Sequence, residues 1–113
     1  MTKDRIVQAF TMLSLQRKVA FLISISYELT VWMRENVDES YSAESRIRHL
    51  LGANELQHHL SIEARHHLNN DLRRYPDETL FDMLIEKATH YEIDRALTAS
   101  LIRVTERISH ESN

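Results

Sequence analysis

The apolar positions of the chain fall at helical spacing nearly throughout and nowhere sustain a period of two. The pattern therefore predicts helices and no strands. In a first segment, about residues 4–13, Ile6, Val7, Phe10 and Leu13 share one face. Ser14 can cap a second helix over about residues 15–36, or be passed over within one continuous helix. Along residues 15–36, Leu15, Val19, Leu22, Ser26, Leu29 and Met33 step by 4, 3, 4, 3, 4 and form a single seam. Phe21, Ile25 and Trp32 add a second apolar face, and Ala20, Ile23, Tyr27 and Val31 a third. A helix apolar nearly all round is buried on nearly all sides. This segment is expected to be the central helix, or the helix that meets a second copy of the chain. The hydroxyl of Ser26, the one polar residue of the seam, is expected to bond back to the carbonyl one turn earlier.

The remaining punctuation divides the chain further. Val37 to Ser42 reads as the longest loop, with Ser40 or Ser42 capping a third helix whose stripe is Ile47, Leu50 and Leu51. Gly52 sits where a helix favours a left-handed C-terminal residue, and Asn54 with Gln57 has capping-box spacing, so a break near Gly52 is expected. A fourth helix is then expected over about residues 54–74, with Leu56, Leu60, Ala64, Leu68 and Leu72 four apart. Pro76 ends it and opens a fifth that carries Leu80, Phe81, Leu84, Ile85 and Ala88. Thr89 with Glu92 has capping-box spacing for a restart, after which Ile93, Leu97, Leu101, Val104 and Ile108 continue a stripe. The tail from Ser109 to Asn113 is expected to fray.

Composition narrows the chemistry. The 113 residues suit one domain spanning 1–113, and 42% hydrophobic residues are enough for one core. Cysteine is absent, which excludes disulfides and thiolate chemistry. A single glycine and a single proline exclude glycine-rich phosphate loops and nucleophile elbows. The net charge of −3 argues against a general nucleic-acid binder, although Arg46, Arg48, Arg73 and Arg74 form two local basic clusters. Arg95, Arg103 and Arg107 read as a solvated stripe. The most apolar run, Val19 to Ile25, is far shorter than the roughly 20 residues of a membrane span. The polar first residues lack the pattern of a secretory leader, so a cytoplasmic location is expected.

The one pattern with metal-ligand character lies within residues 54–74. Glu55, His58 and His59 are followed eight residues later by Glu63, His66 and His67. Each Glu-x-x-His pair puts a carboxylate and an imidazole one turn apart on one face, the unit that di-iron carboxylate bundles take from each of two helices. Both pairs here sit on one helix eight residues apart, so they cannot converge on one metal within a monomer. Glu86 and His90 are the nearest later pair, at a different spacing. The competing reading is a solvated polar face. No serine or histidine has a sequence context that activates it for nucleophilic catalysis.

These readings predict an all-α protein, a compact bundle of five or six helices around the helix of about residues 15–36. Its expected role is that of a protein-protein interaction or regulatory module without a cofactor, with the question of catalysis left open and leaning against it. It is expected to self-associate as a homodimer through Phe21, Ile25 and Trp32. The alternative is a metal-binding bundle that takes iron or zinc on Glu55, His58, His59, Glu63, His66 and His67.

Overall fold

A computed structural model describes residues 1–111, which form five helices. They are α1 (Lys3–Thr11), α2 (Leu15–Asn36), α3 (Ala43–Leu68), α4 (Asp77–His90) and α5 (Asp94–Glu111), and no strand occurs among the described residues. Local chemistry sets the starts. The hydroxyls of Thr2, Ser14 and Ser42 accept from the backbone N–H three residues on, at 3.4, 3.4 and 3.1 Å, opening α1, α2 and α3. Pro76 precedes α4, and Asp77 and Glu78 lie in its first turn, where acids suit the positive end of the helix dipole. From Ser109 to Glu111 the chain is still helical; residues 112 and 113 lie outside the described residues.

Helix ends depart from the sequence expectation at three places. The helix that begins at Ala43 runs unbroken through Gly52, because Gly52 serves a close approach between elements and not a cap. A Cβ there would lie 2.7 Å from Cγ of Tyr91 and 3.1 Å from Cδ1 of Ile93. Second, α3 stops at Leu68, well before Arg74, so the longest connection is residues 69–76 and not 37–42. Asn70 takes a left-handed φ of 50°, which lets its N–H reach His67 O at 3.2 Å and the Asp71 N–H reach His66 O at 2.8 Å. That is the glycine-type helix stop built on asparagine. Third, α4 stops in the same way on Glu92 (φ 59°), with Glu92 N–H to Thr89 O at 3.1 Å and Ile93 N–H to Ala88 O at 2.8 Å. Thr89 lies inside α4, and its hydroxyl bonds back to Ile85 O rather than capping a new start.

α2 packs against α3 on one side and α5 on the other, while α1 and α4 close the remaining core. Phe10, Phe21 and Phe81 meet edge to face at its centre, with ring centroids 5.2, 5.3 and 6.2 Å apart. Leu22, Ile25, Leu29, Leu56, Leu84 and Leu97 fill the space around them. The molecule measures 41 × 32 × 20 Å, so its short dimension holds about two helix layers of 10 Å each. Two layers cannot surround a helix. Accordingly α2 buries Val19, Phe21, Leu22, Ile25, Leu29 and Met33 but leaves Ile23 58% and Tyr27 66% exposed. Leu15, at the start of the expected seam, is exposed as well. Ser26 contributes its carbonyl to the packing, accepting from Gln57 Nε2 of α3 at 2.9 Å. No helix among the described residues is long and apolar enough to cross a membrane.

Candidate functional site

The two Glu-x-x-His-His groups both lie on α3, and eight residues at 100° per residue rotate the second about 80° from the first. The first group faces the end of α4. Glu55 accepts from Lys87 Nζ at 2.9 Å and from the hydroxyl of Tyr91, while His59 Nε2 lies 3.9 Å from the same carboxylate and His58 is exposed. The Tyr91 hydrogen bond and then Lys87 hold the Glu55 carboxyl below its ordinary value, and Glu55 in turn raises both partners. Desolvation, reinforced by the Lys87 charge, pushes His59 down. Glu86 and His90 line the same cleft of about 490 Å³. The carboxylate at its edge is already engaged by an ammonium and a phenol.

The second group faces the core. Glu63 and His67 are 2% and 3% exposed. One Glu63 oxygen accepts from the Tyr75 N–H at 3.3 Å; burial nevertheless raises its carboxyl, only partly offset by that bond, His66 and Arg74. His67 packs edge-on to Phe10 with centroids 6.0 Å apart, and its Nε2 has no hydrogen-bond partner. Burial lowers its proton affinity, with Arg74 and Lys18 adding to the effect. His66 pairs with Asp71 at 3.0 Å. Neither group gathers a third ligand. Among the described residues no three histidine, aspartate or glutamate side chains come together as metal ligands would.

The basic residues are arranged differently from the expected solvated stripe. Arg103 and Arg107 of α5 both donate to the carboxylate of Glu28, a residue 4% exposed on α2. Burial alone would raise that carboxyl, but the hydrogen bonds from Arg107 and Arg103 outweigh it and hold Glu28 below its ordinary value. Arg73 pairs with Asp71 at 2.8 Å, Arg74 bonds the Asp71 carbonyl at 3.1 Å, and Arg48 reaches Glu44 and Glu92. Of the expected interface residues, Phe21 and Ile25 are 1% and 0% exposed within a single chain, so no second copy can touch them while the fold is intact. Trp32 is half-buried against the same core. The apolar residues that α2 does offer lie on its opposite side.

There, α2 and α3 bound a groove in two segments of about 450 and 360 Å³. Ile23, Tyr27 and Leu68 line the first, and Leu50 lines the second. All four are more than half exposed. Gln57 spans the helices near the junction, donating to Ser26 O at 2.9 Å and Thr30 Oγ1 at 2.7 Å. The charged lining residues are Arg65 in the first segment and Arg34 and Arg46 in the second. A signal for this face exists in the sequence: Leu50, Asn54, Gln57, Ser61 and Leu68 step by 4, 3, 4 and 7. It goes unread because only its ends are apolar and the expected break at Gly52 cuts it. No protein-family model, curated protein or solved structure matches the chain.

Proposed function

We propose that this chain is a small, non-catalytic protein-protein interaction module of the cytoplasm whose docking face is the α2/α3 groove. The observation that carries the reading is the alignment of Ile23, Tyr27, Leu50 and Leu68 along one groove, all left in water. Scattered surface aliphatics need no explanation, but exposed apolar residues recurring along a groove between two long helices fit a receptor for an amphipathic helix. The interior residues Phe21 and Ile25 have no part in this docking. A photoactivatable phenylalanine analogue at position 23 is expected to give discrete cross-linked species in cells that make the chain. The same analogue at exposed Thr98 on α5 is expected to give none. Matching patterns from the two positions would refute the reading.

A further inference from the structure

We infer that the occupant of the groove is an amphipathic helix carrying acidic residues toward both ends of an apolar stripe; this rests on the docking reading above. Two observations select that chemistry. First, the charged residues lining the groove are all arginines, in a chain whose net charge is −3. Second, Arg34, Arg46 and Arg65 form no ion pair among the described residues, and the buried Nε of Arg46 has no acceptor. All three lysines are ion-paired, as are Arg48, Arg73, Arg103 and Arg107. Arg5 and Arg95, exposed on α1 and α5, are unpaired among the described residues as the groove arginines are, but line neither segment. No acidic side chain lines either segment, so the groove is left with three unpaired guanidinium groups beside apolar surface.

The placement of the charges sets the occupant's dimensions. The lining runs from Val19 on α2 to Val37 just beyond its end, about 27 Å at 1.5 Å per residue, which fits a helix of about 18 residues. Arg65 lies in one segment, and Arg46, about 28 Å away along α3, lies with Arg34 in the other. Acids near both ends of the bound helix therefore meet arginines. A second copy offering the same face is a poor occupant, because two-fold pairing sets these arginines against one another and like charges across an interface oppose association.

The test uses the full chain and a displayed library of helical peptides about 18 residues long. Leucines are fixed at i, i+3, i+4 and i+7 repeats, and the exposed positions of the first and last turns are randomised among Glu, Gln and Lys. Selection is expected to enrich Glu over Lys about tenfold at both ends, an advantage that shrinks as salt rises. On the triple variant Arg34→Glu, Arg46→Glu, Arg65→Glu the preference is expected to invert. On Ile23→Asp with Leu68→Asp, both solvent-exposed sites that leave the core intact, enrichment is expected to vanish. Equal recovery of peptides by the native chain and the Ile23→Asp, Leu68→Asp variant would overturn the docking reading and this inference together. Groove-dependent enrichment without preference for Glu would overturn the acidic occupant alone. So would sedimentation of the native chain as a dimer that Ile23→Asp dissociates, which would seat a second copy in the groove.

Discussion

The two Glu-x-x-His-His groups of α3 are nearly identical in sequence and opposite in fate. Glu55, His58 and His59 sit at the rim, where Lys87 and the Tyr91 hydroxyl satisfy the carboxylate and water reaches the rings. Glu63 and His67 sit in the core, one with a single backbone donor and the other with a bare Nε2. The local motif is the same, and the difference is a rotation of about 80° along one helix. Spacing thus defines which residues share a face. It does not define what that face meets.

The contrast can be tested along α3, beginning at the residue that seats the first group. Gly52→Ala drives a methyl into Tyr91, whose hydroxyl holds Glu55, and is expected to cost about 1–3 kcal/mol in urea unfolding. Steric cost there would fall if the α4–α5 turn could move away, so an unchanged midpoint would break the account of Gly52.

A smaller effect is expected from His67→Leu, and it depends on pH. Burial puts the folded pKa of His67 below the ordinary 6.5, so its contribution to stability is complete above that value and is lost as pH falls below it. His67→Leu is expected to flatten the loss of stability between pH 7 and 5. Urea midpoints at the two pH values decide it.

Glu63 works in the other direction. Its folded pKa is raised above 4.5, so its contribution is complete below that value and is lost as pH rises through the folded pKa. Glu63→Gln keeps an oxygen for the Tyr75 N–H and removes the buried charge. The variant is expected to be at least as stable as the native chain at pH 7 and to lose part of the gain on acidification. A marked loss of stability at pH 7 would show that the charge itself is needed.

The smallest effect is expected at the rim. Glu55→Gln weakens partly exposed bonds to Lys87 and Tyr91 and is expected to cost no more than about 1 kcal/mol. A cost above that of Gly52→Ala would reverse the order of the two groups.

Much of the architecture was legible because it follows from interactions within one turn of chain. The acids that open α4 behind Pro76 and the buried seam of α2 through Val19, Leu22, Leu29 and Met33 read directly, while the caps at Ser14 and Ser42 were each one of two readings that the sequence left open. The helix stops at Asn70 and Glu92 did not, since neither residue is the glycine that marks a left-handed stop. The single glycine misled for the complementary reason. Its missing side chain answers to Tyr91, almost forty residues away in the chain. The exposed side of α2 was obscured by the assumption that an all-round apolar helix is covered all round, which a body two layers thick does not allow.

By itself, then, the sequence determined the helical class, most of the helix starts and the sharing of faces along each helix, because these depend on neighbours three or four residues apart. Tertiary structure alone decided which face of α2 stays bare, which Glu-His group is buried, and that Arg103 and Arg107 close on Glu28. Those outcomes depend on how whole helices are rotated against one another. That rotation is set by contacts such as Gln57 to Ser26, Lys87 to Glu55 and Arg107 to Glu28, between residues 31, 32 and 79 positions apart.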